Sequence, residues 1–186
     1  ITIIHGNNET GAINDIEAIG EIAQNAGIPF HTDVVQTFGK YRITPIKYYI
    51  DAFSVSAHKW YGPPGVGILC VRHRLVKAFE MCPLIAGAQN QGLRGGTESI
   101  PAIAAAFAAF NYNMKNRQDK NKKLLELKKL MISKLKEKCT YETLEQYRTN
   151  PKIKPIKLIQ ITPTELNKTM VNTLFIAIEF RKKDTN

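Results

Sequence analysis

Cysteine is scarce in this chain: Cys70, Cys82 and Cys139 are the only three, and no Cys-x-x-Cys pair occurs. Such spacing supports neither a disulfide framework nor a zinc site. Long apolar runs are also missing, since nothing approaches the ~18 consecutive apolar residues of a membrane span. The opening ITIIHGNNETG has none of the basic, apolar and small-residue zones of a secretory leader. These absences set the expectation of a reducing compartment, the cytoplasm or the mitochondrial matrix, with no membrane partner. No GxGxxG or GxxxxGK[ST] follows the first β-rich run, which removes the common nucleotide-binding readings.

Acidic residues are few as well. Against 26 Lys and Arg stand 16 Asp and Glu, a net charge of +10. That excess would suit nucleic acid or another anionic surface, but no helix-turn-helix, zinc-finger or RRM motif accompanies it. Lysine is concentrated between Lys115 and Lys138, where Leu124, Leu127, Met131 and Leu135 recur at helical spacing. The expectation is an amphipathic helix with its lysines on the solvated side, and nucleic acid is not expected as a partner.

What is present reads as a globular chain: 186 residues, 44% hydrophobic and 23% charged. Thr2 to His5 is β-rich. Asn14 is the expected N-cap of a helix whose face carries Ile16, Ile19, Ile22, Ala23 and Ala26, stopped by Gly27. Ile28 to His31 is the next expected strand, so strand, helix and strand form a βαβ unit and imply a parallel sheet. Asp51 to Ser56 and Val66 to Val71 are two further strands, and the connection between them is too short for a helical crossover, so they are expected to be antiparallel. A helix starting at Pro101 is expected to run on into the lysine-rich one. Residues 1–115 are thus read as the core of a large α/β domain, 116–140 as a linking helix and 141–186 as the start of a smaller α+β domain. The abrupt apolar beginning and end make the chain an expected segment of a larger protein.

In open α/β sheets, ligands gather at the carboxyl ends of parallel strands, and the polar residues collect at those ends: HGNNETG after the first strand, HTDVVQ after the second and SVSAHK after the third. Pyridoxal phosphate needs this inventory. Its aldehyde condenses with a lysine amine, its ring nitrogen needs a carboxylate, and its phosphate needs hydroxyl and N–H donors. Lys59, Asp33 and Ser56 with His58 can supply these.

The ordered blocks NNETG, HTDVVQTFGK, SVSAHKWYGPPGVGILCVR and GLRGGTESIPAI resemble the cysteine desulfurases, NifS-like members of the class-V aminotransferase group and of fold-type I pyridoxal-phosphate enzymes. The resemblance runs from Ile1 to about Ala109. It implies an α/β fold, a mainly parallel sheet flanked by helices. It implies that Lys59 holds pyridoxal 5'-phosphate and moves the substrate's Cα proton, and that Asp33 pairs with the ring nitrogen. Gln36 would donate to the phenolic oxygen, with Asn8 near that oxygen or the substrate carboxylate. Ser56, the backbone at Ala57 and His58 would hold phosphate. Thr97 would reach the phosphate of a neighbouring subunit, making a homodimer part of the site. The implied substrate is L-cysteine, and the implied sulfur acceptor is a partner such as an iron–sulfur scaffold. Two features depart from the pattern. AGAQNQ (Ala86 to Gln91) stands where the family has a glycine-rich HGGGQER, and no cysteine matches the persulfide position. Two alternatives stay open. One is another fold-type I enzyme: a selenocysteine lyase, a kynureninase-like hydrolase or an aminotransferase. The other is a non-catalytic relative acting as a binding protein.

Overall fold

Short runs of β-branched and small residues build the first sheet, and their alternation decides which side is covered. The structure, a computed structural model, describes residues 1–138, 140–143, 146, 156–165, 168–170 and 172–180, with the side chains of 138, 140–143, 156–158 and 177–180 left aside. Two units make up the chain: Ile1–His5 with Asp15–Arg117, and Gly6–Asn14 with Gln118–Asn186.

The first unit contains β1 (Thr2–Ile4), α1 (Ile16–Asn25), β2 (His31–Asp33), β3 (Ala52–Ser56), β4 (Gly67–Val71), α2 (His73–Ala78) and α3 (Ile100–Lys115). The strands lie in the order β1-β2-β3-β4. β1, β2 and β3 are mutually parallel, with Ile4 beside Asp33 and Asp33 beside Ser54. β4 returns antiparallel to β3, Val55 facing Ile68, as the short connection requires. Side chains alternate across a strand. Ile3 and Phe53 therefore face one side, where they pack against Ile16, Ala23, Phe30 and Ile50. Val55 continues that side into a second cluster with Val34, Ala57, Trp60 and Ala106.

Three local expectations shift. The N-cap of α1 is Asp15 rather than Asn14: its Oδ1 accepts from the Ala18 N–H at 3.0 Å, the reach a cap carboxylate needs into the first turn. The second strand begins at His31 rather than Ile28. Pro29 has no N–H to give, and the Phe30 N–H goes to the buried Asp51 carboxylate at 3.1 Å. The same carboxylate takes Arg74 at 2.6 Å, so it anchors the amino-terminal side of the sheet. Finally, the long helical region is two helices. The Asn116 side chain donates to the Tyr112 carbonyl at 2.7 Å and closes α3 before α4 (Arg117–Lys138) begins.

In the second unit, β5 (Thr140–Thr143), β6 (Ile156–Gln160) and β7 (Ile176–Phe180) form a three-stranded sheet, β5 parallel and β7 antiparallel to β6. The loop Gly6–Asn14 belongs here: Met170 N–H donates to the Gly11 carbonyl at 2.7 Å and Ile13 N–H to that of Lys168 at 2.9 Å. The lysine pattern of α4 is not purely solvated. Lys128 turns inward, its Nζ donating to Thr169 Oγ1 at 3.1 Å and to the Met170 carbonyl at 3.0 Å, and burial lowers its pKa. Conversely, Leu127 and Met131 of the expected buried stripe are about half exposed. Cys139 lies outside the described residues. Among the described residues no helix is long and apolar enough to cross a membrane.

Candidate functional site

Parallel pairing delivers consecutive strand ends to one edge of the sheet. The His5 N–H donates to the Asp33 carbonyl at 2.8 Å and the Val34 N–H to that of Ser54 at 3.1 Å, so the ladder continues to the points where β1 and β2 give way to loops. Asp33 is half-buried. Its Oδ1 accepts from the Val35 N–H at 2.8 Å, which fixes the carboxylate against its own loop. On the same face His31 Nε2 meets Ser54 Oγ at 2.8 Å. Burial lowers the pKa of His31, against the opposing pull of Asp33.

β3 ends in Ser56 and passes into a short helical turn, Ala57–Trp60, that carries Lys59. Ser56 Oγ lies 2.9 Å from His58 Nδ1. Lys59 is half-buried between a fully buried Ala57 side and a buried Trp60. The next residue, Tyr61, is left-handed with φ 71°. Its position lets the Gly62 N–H close the turn on the Ala57 carbonyl at 3.0 Å.

The loop after β2 packs beside this turn, with Val34 in one buried cluster with Ala57 and Trp60. Lys40 Nζ donates to the Gln36 carbonyl at 2.7 Å, and burial followed by the positive charge of Lys59 lowers the Lys40 pKa. Thr37 donates its hydroxyl to the Val34 carbonyl at 3.3 Å and lies 2.8 Å from His5 Nδ1. With its one proton so used, the hydroxyl accepts from a protonated Nδ1. Burial pushes the His5 pKa down to about 4, with Asp15 pulling weakly the other way, so His5 is neutral near pH 7.

Asp33, Gln36, Ser56, Ala57, His58 and Lys59 thus belong to neighbouring segments at one sheet edge. Thr97 is exposed in the stretch before α3. Asn8 is exposed in the second unit, where the polar work is done by Asn7, whose Oδ1 accepts from the N–H groups of Glu9 and Thr10. The Ala57 N–H is engaged by the Val66 carbonyl at 2.9 Å, because the β3–β4 ladder continues one residue past Ser56. The sequence reading assigned no role to His5, Thr37, Lys40, Trp60 or Asn113. HGNNETG and HTDVVQTFGK were visible as polar runs, but nothing local pairs His5 with Thr37.

The donor set of Lys59, Asp33, Ser56 and His58 fits pyridoxal phosphate chemically: an amine, a carboxylate already braced by a backbone N–H, and hydroxyl and imidazole donors. The family model for class-V aminotransferases matches residues 1–179. The chain belongs to that family. Its class-V relatives include a cysteine desulfurase IscS of Ehrlichia chaffeensis, 35% identical over 145 residues, covering 77% of this chain and 35% of the relative. A solved NifS-like protein superposes with a TM-score of 0.75 at 31% identity over 94% of this chain and 42% of its own. SspA, solved in complex with cysteine, is 46% identical over 60% of this chain and 32% of its own, with a TM-score of 0.56. The α/β fold is that of fold-type I pyridoxal-phosphate enzymes, and the resemblance to the cysteine desulfurases is shown by these matches. The chain spans about a third of the length of the curated relatives it matches.

Proposed function

We propose that the whole protein is a pyridoxal-phosphate-dependent cysteine desulfurase that converts L-cysteine to L-alanine. The sulfur passes to a persulfide cysteine outside these 186 residues and then to an acceptor such as an iron–sulfur scaffold. The observation that supports this reading is the shared sheet edge, where the end of β2 and the turn after β3 carry Asp33 and Lys59 next to Val34 and Trp60 of one buried cluster. When bound, pyridoxal phosphate supplies an electron sink for the pair left at Cα as the proton departs. Asp33, braced by Val35, holds the ring nitrogen's proton. The Lys59 amine would hold the cofactor and would be the group that takes and returns the Cα proton. Gln36 donates to the phenolic oxygen, and Ser56 and His58 hold the phosphate.

A homodimer completes the reading, with Thr97 reaching the phosphate of a second copy. It is supported by the exposure of Thr97 and of large apolar side chains around it in sequence, including Leu84, Ile100 and Phe107. A reducing compartment, where cysteine thiols stay free, is the expected location.

The test is the full-length protein with Lys59→Ala. Alanine formation from cysteine is expected to fall at least ~10³-fold together with the visible absorbance of the bound cofactor. Retention of both would overturn the reading, and turnover of selenocysteine or kynurenine in preference to cysteine would redirect it.

A further inference from the structure

Lysine 59 is held from behind by a helix that reaches both segments of the site. Trp60, the next residue, is only 2% exposed, and its indole Nε1–H donates to the Ala106 carbonyl of α3 at 3.1 Å. Seven residues further along α3, about two turns and hence on the same face, Asn113 is 4% exposed. Its Nδ2 donates to the Gly39 carbonyl at 3.3 Å. Gly39 lies between Gln36 and Lys40 in the loop after β2. Its φ is +78°, and a Cβ there would stand 2.7 Å from Asn113 Nδ2 and 3.3 Å from Trp60 Cβ. Phe38 packs beside them, its ring 5.2 Å from that of Trp60 and 5.3 Å from that of Phe110.

Apolar packing alone is non-directional, so it would tolerate a small rotation of the turn about the sheet edge. A buried hydrogen bond is not tolerant in this way: an indole N–H that leaves its carbonyl loses the bond and stays desolvated. Fixing the Trp60 ring fixes its backbone, and with it the direction in which the preceding residue projects. Fixing the Gly39 carbonyl does the same for the loop that presents Gln36 and Lys40.

We propose that Trp60 and Asn113 are positioning residues, which clamp the Lys59 turn and the Gln36–Lys40 loop onto one face of α3 and so set the reach and reactivity of the Lys59 amine. This rests on the reading of Lys59 as the reacting group. Neither residue touches the reacting atoms. Trp60 acts through the backbone next to Lys59, and Asn113 through the Gly39 carbonyl, three residues beyond Gln36 in its loop.

The experiment uses the full-length protein as parent, Trp60→Phe, Asn113→Ala and the double variant. Trp60→Phe keeps an aromatic ring at the site and removes the donor together with part of the indole's volume. The first readout is cofactor-free: the rate at which each lysine amine of the apoprotein is acetylated across a pH series, followed peptide by peptide, with Lys134 as internal reference. Each single variant is expected to shift Lys59 acetylation by about threefold or more relative to Lys134. The double variant is expected to depart from additivity, as residues on one shared element do. The second readout is the pH midpoint of the visible absorbance after loading with pyridoxal phosphate, which is expected to move in the same variants. A fall in thermal stability with unchanged Lys59 acetylation in both single variants would overturn the clamp, leaving the two residues merely structural. A parent that takes up no cofactor would overturn the functional reading, and the acetylation profile would still decide the clamp.

Discussion

The two glycine-punctuated stretches of the first unit could hardly be more different in their surroundings. Ser56 to Gly62 is packed: Ala57 and Trp60 are buried, the turn is closed by backbone hydrogen bonds, and α3 covers it. Phe79 to Thr97 lies open, with Leu84 fully exposed, Phe79 at 62% and Ile85 at 50%, and with Glu80, Asn90 and Gln91 in the left-handed region. Non-glycine residues there are uncommon and cost roughly 1 kcal/mol each. The first stretch is finished by its own unit. The second is tied across its own backbone, with the Gly95 N–H on the Ile85 carbonyl at 2.7 Å, yet it leaves Phe79, Leu84 and Ile85 uncovered among the described residues.

The sharpest way to break this contrast is truncation on each side of it. Trp60→Ala is expected to cost about 3–5 kcal/mol in urea unfolding, the range for emptying a buried aromatic site. Gly95 tests whether the open stretch is loose throughout. A Cβ at Gly95 would stand 2.2 Å from the Ala86 carbonyl oxygen, so Gly95→Ala must move backbone and is expected to cost roughly 2 kcal/mol. No loss would mean that the crossing of residues 86 and 95 is not held.

A pH series sharpens the packed side. His5 is lowered in the folded state from 6.5 to about 4, so the unfolded chain takes up the proton first as pH falls. The stability of the neutral buried form is present above 6.5 and is lost progressively down to about 4, by about 2 kcal/mol after discounting for partial solvent screening. In His5→Gln the corresponding slope, measured by urea titration between those pH values, is expected to flatten. Smallest of all, Leu84→Ala is expected to change unfolding by no more than about 0.5 kcal/mol, while weakening any association of two copies seen by sedimentation.

Much of this frame was legible in the residues. The apolar spacing of Ile16, Ile19 and Ala23 marks α1, and the brevity of the connection from Ala57 to Gly65 forces β4 to return antiparallel. The polar endings of three strands mark the edge where Asp33 and Lys59 lie. What was not legible depends on partners distant in sequence. Asn113 in an alanine-rich helix reads as a solvated position, yet its partner is Gly39, 74 residues earlier. Phe30 reads as strand until Asp51 claims its N–H. Ala57 reads as an available donor until the ladder to Val66 is seen. Local pattern reports periodicity and turn chemistry; it carries nothing on which distant carbonyl a buried donor will meet.

Trp60 has one more consequence. It is the single tryptophan of these 186 residues and stands next to Lys59, so a chromophore tied to that amine would sit within easy energy-transfer range of the indole. Loading and unloading of the site should therefore be visible as quenching and recovery of ultraviolet-excited emission, an optical gauge placed one peptide bond from the chemistry.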